Sequence, residues 1–142
     1  MDAETGQTDD ANVADDLLVA ALAVRRNAHV PYSHFAVGAA LRTRSGRIFA
    51  GANVENAAYP EGICAEASAI GAMVSAGERE IVEVLTVAGG EHLVTCCGGC
   101  RQKLREFAGP TTRVHAADAE GVQRTFTMAE LLPASFGREH VG

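Results

Sequence analysis

Cys64 and Glu66 stand two residues apart, and Cys97 and Cys100 follow later as a Cys-x-x-Cys pair. Thiolates are good ligands for Zn²⁺, and three of them leave a fourth tetrahedral position open for water. A carboxylate two residues after the first cysteine would then sit beside that water rather than on the metal, where it could carry protons. Ligand type, ligand spacing and an adjacent proton carrier together point to hydrolytic chemistry at a metal. Cys96 is the one further cysteine. A disulfide framework suits small secreted chains, whereas clustering of this kind in a cytosolic chain more often means metal.

These residues need elements to hold them. Ala65, Ala67, Ala69 and Ala72 favour a helix from about Cys64 to Ser75, with Gly77 ending it. A second helix is expected from about Gly98 to Phe107, ended by Gly109-Pro110. Both cysteine groups thus lie at helix starts, where the dipole favours thiolate. Cys97 and Cys100 are three apart and share one face. Phe35–Arg42 and Arg47–Val54 read as a hairpin turned at Ser45-Gly46, which delivers Asn53 and Glu55 on one side of its exit. Ile81–Ala88 reads as a short apolar strand, and Thr112–Ala117 and Val122–Phe126 as the last two strands. Leu17, Ala21, Val24 and Ala28 recur at helical spacing in a first helix, Ala14 to Ala28, closed by Pro31. A final turn, Met128–Leu132, is capped by Thr127. Strands that alternate with helices imply a layered α/β domain, with an antiparallel hairpin on a partly parallel sheet.

The 142 residues suffice for one domain with its own core. Hydrophobic residues at 47% and charged residues at 21% are ordinary for a globular protein, and no apolar run is long enough to span a membrane. Residues 1–12 are polar and acidic and are expected to form a disordered tail ahead of a catalytic domain over 13–142. Such an N-terminus is neither a signal nor a transit peptide, so a cytoplasmic location is expected. The net charge of −6 and the lack of a basic stripe weigh against a nucleic-acid partner and favour a small uncharged substrate.

The chain resembles the cytidine deaminases, small zinc enzymes of pyrimidine salvage. The resemblance lies in Pro31-Tyr32-Ser33-His34-Phe35-Ala36-Val37-Gly38-Ala39-Ala40-Leu41, in Asn53-Val-Glu-Asn-Ala-Ala-Tyr-Pro-Glu-Gly-Ile-Cys-Ala-Glu66, and in Cys97-Gly-Gly-Cys-Arg-Gln102 with Leu104 and Phe107. Glu130-Leu131-Leu132-Pro133 with Phe136 completes it. It implies a three-layer α/β/α domain with a mixed sheet of about five strands. It also implies zinc as cofactor, held by Cys64, Cys97 and Cys100. Glu66 would take a proton from the attacking water and deliver protons to the ring nitrogen and the leaving amine. The matching positions imply ribose contacts from Asn53 and Glu55, base stacking near Phe35, and a base-carbonyl contact from the backbone around Ala65 and Glu66. Phe136 would complete a neighbouring subunit's pocket in a homotetramer. The implied reaction converts cytidine and deoxycytidine to uridine and deoxyuridine with release of ammonia.

Two other readings compete. A closed structural zinc site would need a fourth protein ligand, and Cys96 is the only spare thiol, adjacent to Cys97 and set where the family usually has proline. A catalytically idle zinc scaffold has no need of Glu66. Within the chemistry, the runner-up substrate is a modified cytosine nucleoside such as blasticidin S. None of the five histidines precedes a glutamate in a His-x-Glu pattern, so no histidine ligand is expected. Ala67 stands where related three-cysteine enzymes commonly have arginine. Three thiolates on Zn²⁺ leave about −1 by simple ion counting. Helix N-termini and backbone amides are expected to offset most of this charge, with Arg101 as the other candidate.

Overall fold

The computed structural model describes the chain in full from Ala14 to Gly142; the expected tail, 1–12, lies outside the described residues. The elements run α1 (Asp2–Arg25), β1 (Val37–Thr43), β2 (Ile48–Ala52), α2 (Ala65–Ser75), β3 (Ile81–Ala88), α3 (Gly98–Arg105), β4 (Ala108–Asp118), β5 (Gly121–Thr127) and α4 (Met128–Leu131). Short 3₁₀ turns occupy Tyr59–Glu61 and Arg138–His140. The order of helices and strands is the one read from the sequence.

The five strands form one sheet in the order β2-β1-β3-β4-β5. Only β3 and β4 pair in parallel; every other neighbour is antiparallel. The sheet is therefore mixed, as expected. Layers form on both faces. Leu17 and Ala21 of α1 pack with Ala40, Leu85, Val87 and Ala117 on one face. Ala69, Ile70 and Met73 of α2, Cys100 and Leu104 of α3, and Met128 and Leu131 of α4 pack with Leu41, Val84 and Val114 on the other. Two glycines bring the helices down onto the sheet. A Cβ on Gly38 would lie 2.2 Å from the Ala21 carbonyl oxygen of α1, and one on Gly51 would lie 2.5 Å from the Ala69 nitrogen of α2.

Boundaries differ from the expected ones for identifiable reasons. α1 stops at Arg25 rather than Ala28, because His29 leaves the helix to pair with the end of the hairpin: its amide donates to the Asn53 carbonyl (3.0 Å) and its carbonyl accepts from the Glu55 amide (2.8 Å). β1 begins at Val37 rather than Phe35, because the Asn53 side chain takes the place of the ladder there. β4 begins at Ala108 rather than Thr112 and includes Pro110, which a strand accommodates only at an edge, at its start or at a bulge. The β3–β4 register slips between the Ile81–Ala108 and Glu83–Arg113 pairs, so no ladder bond is asked of Pro110.

The topology explains how the site assembles. β2 and β3 both run antiparallel to β1, so they run parallel to each other and end on the same edge of the sheet. The chain leaves β2 for α2 and β3 for α3. Both helices start beyond that edge, and their first turns meet there.

Candidate active site

Cys64 is the N-cap residue of α2 and Cys97 the N-cap residue of α3, each with extended backbone. Cys100 lies one turn into α3 and is buried. The sulfurs of Cys64, Cys97 and Cys100 all lie within 4.8 Å of one another, and the Cys64 and Cys97 sulfurs are 3.8 Å apart. Tetrahedral zinc with Zn–S bonds of about 2.3 Å needs sulfurs about 3.8 Å apart. The donor set and its spacing therefore fit zinc. Among the described residues this is the one group of such side chains close enough to hold a metal ion.

Glu66, in the first turn of α2, is 3% exposed. One of its oxygens, Oε2, accepts a hydrogen bond of 3.2 Å from the hydroxyl of Thr86 on β3, itself buried. Burial raises the Glu66 carboxyl above the usual carboxylate range against the pull of its own backbone amide, Thr86 and Cys100. Burial likewise pushes the Cys64 and Cys100 thiols up, and the neighbouring Glu66 adds to the rise at both. Burial also opposes ionisation of Cys97, but the Cys100 amide and the two neighbouring thiols outweigh it and hold this thiol low. Crowded thiols and a carboxyl that resist sharing negative charge are what a cation at their centre would relieve.

A cavity of about 240 Å³ opens onto this group. Its lining contains Phe35, Asn53, Cys64, Ala65, Glu66 and Cys97, which are six of the residues singled out in the sequence. Thr86, Val94 and Thr95 also line it. Asn53 is fixed by both ends of its amide. Its Oδ1 accepts from the Val37 amide (2.9 Å), and its Nδ2 donates to the Phe35 carbonyl (2.8 Å). A side-chain amide has two donor hydrogens and two acceptor lone pairs, so one of each remains for a ligand. The same pair of bonds sets the position of Phe35 at the cavity wall.

Two expected residues lie apart from this cavity. Glu55 lines another, with Tyr32, Ser33, Asn56, Tyr59 and Gly62. Its Oε1 accepts from the amides of Tyr32 (3.0 Å) and Ser33 (3.1 Å). Bonding to the Ser33 hydroxyl and to those two amides holds this carboxyl below its usual range. Phe136 is 60% exposed and stacks on His140, while the Gln102 side chain donates to its carbonyl oxygen (2.9 Å).

Arg101 does not reach the sulfurs with its hydrogen bonds. It donates to the carbonyls of Cys96 (2.9 Å) and Leu131 (2.8 Å) and to the Thr95 hydroxyl (2.9 Å), tying the loop before α3 to α4. Cys96 packs into the core, and burial raises its thiol to about 11, so it stays protonated beside the reactive group. Thr86 is the residue that sequence reasoning missed. It sits in a strand that reads as apolar, and only the sheet order places it beneath Glu66.

Comparison with known proteins agrees with this geometry. Residues 12–116 match the family model of the cytidine and deoxycytidylate deaminase zinc-binding region. The cytidine deaminase of Halalkalibacterium halodurans is 40% identical over 123 residues, which cover 87% of this chain and 93% of the relative. That of Mycobacterium tuberculosis is 37% identical over 110 residues, covering 78% and 79%. The crystal structure of cytidine deaminase from Burkholderia pseudomallei superposes with a TM-score of 0.81 at 39% identity, covering 86% of this chain and 98% of that one. With three sulfurs and a buried glutamate meeting where the family model matches, this chain belongs to the cytidine and deoxycytidylate deaminase family.

Proposed function

We propose that the chain is a zinc-dependent hydrolase that deaminates cytidine and deoxycytidine to uridine and deoxyuridine, releasing ammonia, in pyrimidine salvage. The observation that carries this reading is the buried Glu66 carboxyl, held by Thr86 at the wall of the cavity that Cys64 and Cys97 also line.

Cys64, Cys97 and Cys100 would hold the metal. When bound, zinc acts as a Lewis acid and makes a water nucleophilic near neutral pH. Glu66 accepts the first proton of the attacking water and delivers it to the ring N3 of the pyrimidine; it then accepts the remaining proton from the new C4 hydroxyl and delivers it to the departing amine, which leaves as ammonia while the C4 carbonyl forms. A carboxyl raised by burial is suited to both directions of transfer, because its affinity for the proton lies closer to that of its partners. Asn53 offers its remaining donor and acceptor to the ribose hydroxyls. Phe35 flanks the base, and the backbone around Ala65 and Glu66 holds its carbonyl. Glu55, fixed by the Tyr32 and Ser33 amides, presents its other oxygen as a further ribose contact.

The homotetramer belongs to the same proposal. Phe136 is exposed and lies outside the cavity of its own chain, which suits a residue that closes the site of a neighbouring subunit. The partner is then a small nucleoside and three further copies of the chain, with no nucleic acid or membrane, in the cytoplasm. Among the described residues no helix is long and apolar enough to cross a membrane.

The test follows cytidine absorbance and ammonia release for the wild type and for Glu66→Ala. Loss of a positioned general acid–base group predicts a fall of about a hundred- to ten-thousand-fold. Equal rates, with zinc retained in both proteins, would eliminate the enzyme reading.

A further inference from the structure

The segment between β3 and α3, residues 89–96, supplies two walls of the substrate cavity, Val94 and Thr95, yet it belongs to neither element. A loop can present binding residues reproducibly only when a rigid scaffold holds it. Cys96 packs into the core cluster that also contains Leu104 and Leu131. Beyond that packing, among the described residues, the hydrogen bonds that hold this segment all come from one side chain, Arg101.

The Arg101 guanidinium bonds in three directions. Its Nε donates to the Cys96 carbonyl (2.9 Å), and its Nη2 donates to the Thr95 hydroxyl oxygen (2.9 Å). Its Nη1 donates to the Leu131 carbonyl (2.8 Å), and this third acceptor is the anchor. Leu131 ends the four-residue helix α4, so its carbonyl has no partner inside the helix. The Leu131 side chain is buried in the same core cluster. One side chain thus ties two consecutive residues of the cavity loop to a fixed point in the core. A guanidinium suits this task, because its N–H groups lie in one plane, point in fixed directions and stay charged. It has no acceptor, so the Thr95 oxygen must accept, and that bond holds the rotamer of a side chain at the cavity wall.

We propose that Arg101 is a positioning residue for nucleoside binding: its three-way clamp sets where Val94 and Thr95 stand in the cavity, and so how tightly the nucleoside is held. This rests on the deaminase reading of the cavity. Arg101 does not line the cavity itself and acts through Thr95 and the backbone at Cys96.

The test uses the zinc-loaded enzyme and reads two quantities. One is equilibrium binding of uridine, which needs no turnover; the other is kcat and KM for cytidine, taken separately. A displaced cavity wall weakens ground state and transition state alike, so Arg101→Met is expected to raise the uridine Kd and the cytidine KM about tenfold and to change kcat little. Arg101→Lys should recover little, because an ammonium is a point charge and lacks the planar fork that meets three separated acceptors. Thr95→Val keeps the shape and removes one acceptor, and should raise both constants about threefold. Adding Thr95→Val to Arg101→Met should cost nothing further, since the bond it removes is already gone. A purely structural role for Arg101 would lower the urea midpoint and leave the uridine Kd and the KM unchanged. A uridine Kd in Arg101→Met equal to that of the wild type, full recovery by lysine, or costs of the two substitutions that simply multiply, each overturns the proposal while the deaminase reading stands. Should Arg101→Met fail to fold, Thr95→Val decides alone, and an unchanged uridine Kd in it overturns the proposal. A wild type that neither binds uridine nor turns over cytidine overturns both readings.

Discussion

The Thr86 hydroxyl donates to Glu66 Oε2 across the boundary between β3 and α2, with both side chains almost fully buried. A hydrogen bond to a carboxylate contributes about 1.5–3 kcal/mol, and here it also fixes which way the carboxyl faces. Thr86→Val keeps the shape and removes the donor. Its kcat/KM is expected to fall about tenfold or more, while the urea midpoint changes little. Thr86→Ser should recover most of the loss. Full activity in Thr86→Val would show that α2 alone aims the glutamate.

Much of this site is legible in the letters, and the exceptions have a common cause. Cys64, Glu66, Cys97 and Cys100 are readable because ligand chemistry dictates both residue type and spacing, and because helix starts carry their own signals. Thr86 is not, since nothing local distinguishes it from the other residues of an apolar strand. Glu83 hides in the same strand, yet it is buried and bonded to the His115 ring on β4, whose other nitrogen meets the Thr125 hydroxyl (2.7 Å). Partners 20 and 32 residues away become visible only once sheet order is known. The reach of Arg101 toward Leu131, 30 residues on, belongs to the same class. Lost strand and helix ends have a related origin: at Phe35 and His29 the backbone bonds go to Asn53 and the end of the hairpin instead of to the expected element.

The α4 cap predicts a pH dependence. Glu130 Oε1 accepts from the Thr127 amide (2.9 Å) and hydroxyl (3.1 Å), and the Thr127 hydroxyl accepts from the Glu130 amide (3.2 Å). The bond from the Thr127 amide, then that from its hydroxyl, holds the Glu130 carboxyl below its usual range. A carboxyl depressed in the folded state contributes stability above its unfolded pKa, about 4.3, and loses it as pH falls through the folded value. Wild type should therefore exceed Glu130→Ala in urea midpoint at pH 7, and the gap should narrow below about pH 4. A gap of the same size at pH 7 and pH 3 would show that the charge on Glu130 contributes nothing to the cap.

Gly51 governs how closely α2 approaches the sheet, and through α2 it governs where Cys64 and Glu66 stand. A Cβ there would lie 2.5 Å from the Ala69 nitrogen and 2.6 Å from the Ser68 Cβ. Neither is the end of a flexible side chain, so the helix itself would have to move. Overpacking of this kind typically costs about 1–3 kcal/mol. Gly51→Ala is therefore expected to lower the urea midpoint. Because the displaced backbone belongs to the second turn of the helix that carries Cys64 at its N-cap, zinc retention should fall with it. Gly46→Ala provides the contrast. Its φ of +91° strains the turn, but a Cβ there meets nothing within 4 Å, and the neighbouring Ser45 and Arg47 bond Glu78 beyond the C-terminal end of α2, the end opposite Cys64. It should lose stability without loosening zinc beyond what unfolding accounts for. If Gly51→Ala kept wild-type zinc affinity while losing stability, the seat of α2 on β2 would be set by the rest of its buried face, Ala69, Ile70 and Met73, and not by the contact at Gly51.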